Sequence, residues 1–106
     1  PTMKASMEKA RDFTLEGHLE NMKCPFLVMH GGHDVLTVSQ AKKVYDYGKE
    51  KGVDVTLRLL SEEETGAEHC QHDNPTIGQE ILADWLADRF GINQKELLRT
   101  SHNPLI

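Results

Sequence analysis

Pro25-Phe26-Leu27-Val28-Met29-His30-Gly31-Gly32-His33-Asp34 is the stretch that decides the fold. Phe26 to Met29 is an uninterrupted apolar run, the pattern of a central parallel strand covered on both faces. Pro25 fits at its start, where a missing N–H matters least. Gly31 and Gly32 carry no side chains and permit a sharp turn, which ends in the carboxylate of Asp34. In an open α/β sheet, a polar loop at the carboxyl end of a strand is where ligand chemistry sits.

Working outward from that strand, Thr37-Val38-Ser39-Gln40 predicts a capping box, with Thr37 at the N-cap and Gln40 three residues on. The helix that follows carries Val38, Ala41, Val44, Tyr45 and Gly48 on or near one face, and Gly52 stops it. Val53, Val55, Leu57 and Leu59 alternate with Asp54, Thr56 and Arg58, the period of two of a half-exposed strand near a sheet edge. A right-handed crossover through the intervening helix predicts that the two strands run parallel. A second polar loop, Gly66-Ala67-Glu68-His69-Cys70, then presents a histidine. Asp73-Asn74-Pro75 predicts an N-cap followed by proline at the first helical position. Ile77, Ile81, Leu82, Trp85, Leu86 and Phe90 give that last helix a broad apolar face, and Gly91 ends it.

The flanks are less regular. Residues 3–22 are rich in helix formers, and Gly17 is expected to divide them into two helices, with Phe13, Leu15, Leu19 and Met22 as apolar anchors. The tail from Ile92 to Ile106 contains one short helical stretch around Gln94 to Arg99 and is expected to fray beyond it. The expected organisation is a helical connector or end of a cap over 1–22, an α/β core segment over 23–91, and a tail over 92–106. Two parallel strands cannot close a core on themselves, because both faces and both edges stay open. The remaining strands are therefore expected from elsewhere, and the chain reads as the C-terminal part of an enzyme.

Composition narrows the function classes. The 106 residues carry a formal net charge of −5, with a pI near 5.6. No Lys/Arg stripe forms, which argues against nucleic acid as a partner. No long apolar run or signal-like start is present, which argues against a membrane span. Cys24 and Cys70 lie outside any dense framework, read as small buried or loop thiols, and favour a reducing compartment. The expected location is cytoplasmic.

Asp34 and His69 fall in two loops that each follow the carboxyl end of a parallel strand. A carboxylate that holds a histidine by its Nδ1–H and leaves Nε2 free as a base needs two such adjacent loops. None of Ser6, Ser39, Ser61 and Ser101 lies in a G-x-S-x-G turn, so the nucleophile of a Ser-His-Asp triad is absent from this chain. The order Asp then His matches the Ser…Asp…His order of α/β-hydrolases.

Lys23 to Gly91 resembles the last two strands and last two helices of an α/β-hydrolase. His30-Gly31-Gly32-His33-Asp34 is similar to the H-G-x-x-D that carries that family's acid. Gly66-Ala67-Glu68-His69-Cys70-Gln71-His72-Asp73-Asn74-Pro75 is similar to the histidine loop of a branch with a helical cap. That branch includes fermentation–respiration-switch-type esterases, the C–C hydrolase of dihydropseudooxynicotine, and fungal hydrolases that shorten polyketides in pigment and melanin synthesis. The resemblance implies an α/β fold in which this chain is the C-terminal βαβα portion, with Asp34 as acid and His69 as base. It implies a serine hydrolase acting on a carbonyl substrate, by C–C cleavage or ester hydrolysis, without a cofactor. The implied partners are the N-terminal part of the same enzyme, which carries the nucleophile, and the small carbonyl substrate; a homodimer is left open.

The remaining polar residues have plainer expectations. His30 is read as a strand-end residue packed under the loop. His33 and His72 flank the two candidates and are available to line the site. Glu62-Glu63-Glu64 is read as a solvated acidic loop, and Glu68 as a substrate contact or a loop brace. The competing chemistry is a zinc site built from His30, His33, His69 and His72 with Cys70 nearby. A non-catalytic binding module is the third class.

Overall fold

The computed structural model describes residues 2–35 and 37–101. In chain order these form α1 (Met3–Ala10), a 3₁₀ turn (Leu19–Asn21), β1 (Phe26–Gly31), α2 (Val38–Glu50), β2 (Val55–Leu60), a second 3₁₀ turn (His69–Gln71), α3 (Pro75–Arg89) and α4 (Gln94–Ser101). β1 and β2 pair in parallel, in a register that sets Phe26 opposite Val55 and Gly31 opposite Leu60. Among the described residues the chain is thus a mixed α/β unit around a two-stranded parallel sheet.

The crossover helix packs on both strands. Leu19, Val53 and Val55 form a buried cluster, against which Val44, Tyr45 and Tyr47 of α2 and Phe26 and Val28 of β1 pack. Val53 precedes β2 rather than opening it. Its N–H bonds the Gly48 carbonyl at 2.8 Å and so serves the return from α2 instead of the sheet. On α3, Arg89 reaches Asp54 and Thr56 at 3.3 Å each. Asp54 and Thr56 alternate with Val53 and Val55, and successive residues of a strand point to opposite faces. Consequently α2 and the end of α3 lie on opposite sides of β2.

The cover is partial. Phe26 to His30 of β1 are only half-buried. The radius of gyration is 18.2 Å, against about 13 Å for a compact domain of some 100 residues. The apolar face expected on α3 divides into two rows along the helix. Ile77, Ile81 and Trp85 are half-buried, whereas Leu82, Leu86 and Phe90 in the next row are 42%, 40% and 76% exposed. Both rows have the i, i+4 spacing that keeps side chains on one face, and among the described residues the second row is left more open than the first.

At the N-terminal side α1 ends at Ala10, short of Gly17, and buries none of its residues. Its start is capped by Thr2, whose Oγ1 accepts from the Ala5 N–H at 3.1 Å. Of the four expected anchors, Leu19 is buried and Met22 half-buried, but Phe13 and Leu15 are exposed. Leu19 and Met22 hold this segment through the apolar cluster, and polar bonds add to it. The Tyr47 hydroxyl accepts from the Gly17 N–H at 2.8 Å and donates to Glu20 at 2.9 Å. α4 covers the predicted helical stretch of the tail, while residues 102–106 lie outside the described residues. Among the described residues no helix is long and apolar enough to cross a membrane.

Candidate active site

The strand register brings two loops out of the sheet side by side. On the β1 side, the Asp34 N–H bonds the Gly31 carbonyl at 3.1 Å, and the Asp34 carbonyl accepts from Thr37 and Val38 at 3.2 and 3.0 Å. That turn feeds directly into α2. On the β2 side, Leu60 leads through an acidic turn to His69. The loops are laced by backbone: Gly32 N–H to Leu60 carbonyl at 2.8 Å, and His33 N–H to Ala67 carbonyl at 3.0 Å. A Cβ on Gly31 would run into the carbonyl oxygens of Ala67 and Glu68. The pair of glycines therefore serves less to bend the chain than to let the second loop lie against it.

At the crown of the two loops, His69 Nδ1 meets Asp34 Oδ2 at 2.6 Å. The Asp34 side chain is 9% exposed and that of His69 is 69% exposed. Asp34 is held below the ordinary carboxylate value, first by the hydrogen bond from His69. Partial burial opposes this, and hydrogen bonding from Thr37 and the neighbouring histidines add to it. An ionised Asp34 accepts from Nδ1–H, which leaves the lone pair of the neutral imidazole on Nε2. The arrangement can take a proton at Nε2 and stabilise the resulting imidazolium through Asp34.

His30 lies beneath this pair. Its Nε2 is 2.8 Å from Thr37 Oγ1 and 3.6 Å from Asp34 Oδ2. This corrects the capping box: Thr37 is the N-cap residue, but its side chain caps no helix N–H and is engaged with His30 instead. His33 and Glu68, the sequence neighbours of Asp34 and His69, form a second bridge, Nδ1 to Oε1 at 2.7 Å. His33 Nε2 lies 3.2 Å from Glu62. The hydrogen bond from Glu68 and the charges of Glu68 and Glu62 push His33 above the ordinary histidine value. A cleft of about 560 Å³, lined by Gly32, His33, Leu59, Leu60, Ser61 and Glu62, opens beside this bridge.

No protein-family model, no curated protein and no solved structure matches the chain. What the site can do rests on its own geometry.

Other residues depart from their sequence readings. Glu64 is not merely solvated. It pairs with the Arg58 guanidinium and accepts from the Ser61 N–H at 3.1 Å, and Arg58 foremost pulls its carboxyl down to about 2. Asp73 was expected to share the cap of α3 with Asn74. Neither side chain caps it: Asn74 donates to Thr65 Oγ1 at 2.8 Å, and Asp73 turns back to the backbone of the histidine loop. Two cap-type residues before one proline were the available hint, since only one can occupy the cap. Of the two readings of Cys24 and Cys70, buried or loop thiols, the second holds: both are exposed free thiols. His72 is exposed beside Asp73. Among the described residues no group of three or more His, Cys, Asp or Glu side chains is arranged to hold a metal ion. His30 and His69 both approach the carboxylate of Asp34, whereas His33 pairs with Glu68 and Glu62.

Proposed function

We propose that this chain is the C-terminal portion of an α/β-hydrolase and supplies the acid and base of a Ser-His-Asp triad. One observation carries the reading: a largely buried Asp34 holds the Nδ1 of an exposed His69 at 2.6 Å, at the carboxyl ends of two adjacent parallel strands. A histidine held in this way has Nε2 free to relay a proton.

The chemistry follows from that orientation. A serine from the N-terminal part of the enzyme attacks a substrate carbonyl as His69 Nε2 takes its proton. Asp34 fixes the tautomer and stabilises the imidazolium. The Oγ–carbonyl bond forms, and the carbonyl electron pair moves onto oxygen, where backbone N–H groups outside this chain receive it. Collapse expels the leaving group, an enolate from a diketone or polyketide or an alkoxide from an ester, and His69 returns the proton to it. Water then cleaves the acyl-enzyme by the same two proton transfers.

The test is a fluorophosphonate probe on the complete enzyme. It labels one serine outside this segment, and Asp34→Asn and His69→Ala each suppress labelling. A complete chain that is folded and takes up no probe would move the assignment to a binding module with a hydrolase-like loop pair.

A further inference from the structure

The loop that bears His69 is gathered at its base chiefly by one carboxylate. Asp73 Oδ2 accepts from the N–H groups of Gly66 and Ala67 at 2.7 and 3.2 Å, and Asp73 Oδ1 accepts from that of Glu68 at 3.2 Å. Three successive amides thus converge on one carboxylate, and the next residue along the chain is His69. Immediately after Asp73 the chain enters α3 through Pro75 at the first turn. The carboxylate consequently anchors the rising limb of the loop to the start of a helix.

The loop needs an anchor because its backbone is strained. Thr65, Cys70 and Gln71 all have positive φ, at 70°, 55° and 56°. Non-glycine residues rarely adopt this region, which costs of order 1 kcal/mol or more for each and persists only where the surroundings impose it. These strained residues bracket His69 on both sides. The bonds that impose the shape are those of Asp73, together with the Asn74–Thr65 bond and the backbone bond from His33 to Ala67.

We infer that Asp73 is a positioning residue for His69: it clamps the Gly66–Glu68 amides so that the imidazole meets Asp34 in the geometry a general base requires. This deepens the hydrolase reading and rests on it for its kinetic consequence, though not for its structural one. Asp73 touches neither His69 nor Asp34; it acts through the loop backbone. Burial works to raise the Asp73 carboxyl, but the backbone N–H groups of Glu68, Asp73 itself, Gly66 and Ala67 together hold it below the ordinary value, so the clamp is charged at neutral pH.

The experiment compares wild type, Asp73→Asn and Asp73→Ala in the complete enzyme. Two readouts are taken: the downfield proton resonance of the His69 Nδ1–H on Asp34, and steady-state kinetics. Asn keeps one acceptor oxygen but sets an NH₂ against at least one loop amide, whereas Ala removes every bond. The downfield resonance should weaken in Asp73→Asn and vanish in Asp73→Ala. kcat should fall about 10-fold and 100-fold respectively, as misplacement by about 1 Å costs in general, with KM within about threefold. Partial rescue by Asn separates positioning from a gross folding defect, and Asp73→Asn decides the matter if Asp73→Ala does not fold. A folded Asp73→Ala with an unchanged resonance and unchanged kcat overturns the clamp. Wild type that shows the resonance but no fluorophosphonate labelling overturns the hydrolase reading alone, and the resonance in the variants still decides the clamp. Wild type without the resonance overturns both.

Discussion

Two regions of this molecule are finished to different degrees: the loops at the carboxyl end of the sheet, and the apolar surfaces of α3 and the N-terminal segment. At the carboxyl ends of β1 and β2 the chain satisfies itself: backbone bonds join the two loops, Asp73 closes the histidine loop, and Asp34 meets His69. Along α3 and the N-terminal segment, by contrast, Leu82, Leu86, Phe90, Met3, Met7 and Phe13 remain exposed. A hydrogen bond needs only one donor and one acceptor brought together, which the parallel register does here for loops as much as 35 residues apart in sequence. Apolar burial needs area, and two strands with their helices supply too little to cover every face. Local polar order can therefore be complete in a chain whose hydrophobic surface is not.

The strongest way to break this comparison is to strike the finished end. On the proposed hydrolase reading, Asp34→Asn and His69→Ala should each lower kcat of the complete protein on the order of 10⁴-fold, the size expected when a triad loses its acid or base. KM should change little, and steady-state kinetics on an activated ester check both. Retention of near wild-type turnover in both variants would falsify the pairing of roles.

Gly31→Ala comes next. The added methyl meets backbone carbonyl oxygens of Ala67 and Glu68, which cannot swing aside as a side-chain tip would. The expected cost is about 3 kcal/mol, the upper end of the usual overpacking range, measured by denaturant unfolding. Activity should fall with it, because the intruding Cβ pushes the histidine loop away from Asp34.

The open row of α3 gives a smaller and more discriminating effect. Leu86→Ser should change the stability of this 106-residue segment by no more than about 0.5 kcal/mol, the range for exposed positions. In the complete enzyme the same change should cost about 2–4 kcal/mol if the second row of α3 is covered there. Equal small effects in both would show that the row is solvent-facing in the whole molecule.

The smallest effect belongs to the half-exposed His33–Glu68 bridge. His33 is raised above 6.5 in the folded state by Glu68. Its contribution is therefore fully present below the unfolded value and is lost as pH rises through the folded one. His33→Ala should lower the melting temperature slightly at pH 6 and not at pH 9, and added salt should erase the difference. A pH-independent shift would mean that the side chain packs rather than pairs. The depressed carboxyls of Asp34 and Asp73 behave oppositely: their contributions hold above the ordinary value near 3.8 and disappear as pH falls through the lowered ones.

Much of the architecture was readable because it follows from periodicity. The positions of the two strands and the Gly52 and Gly91 stops each reflect a local rule. The loop positions of Asp34 and His69 were readable for the same reason, although sequence alone does not give their 2.6 Å approach. The cover of the strands was not: Phe26 to Met29, expected to be covered on both faces, are half-buried, whereas Val55, at the start of the strand expected to be half-exposed, is 1% exposed. What stayed hidden were choices among equivalent polar partners. Thr37 can bond a helix amide or His30, and Asp73 can cap α3 or turn back to Gly66; residue type permits both, and tertiary placement selects one. The split of α3 into a more covered and a more open row was hidden too, since both rows carry the same apolar signature.

The parallel register also acts as a ruler for evolutionary change. Gly31 and Leu60 leave the sheet at the same height, so the distance from Asp34 to His69 is set by the two segments that follow. One residue added within β2 would shift everything after it by about 3.3 Å along the strand and turn its side chains to the other face. That is more than the full length of the Asp34–His69 hydrogen bond. Insertions and deletions among descendants of this sequence should consequently gather at residues 61–64, before the laced and clamped stretch begins, and avoid 55–60 and 66–73.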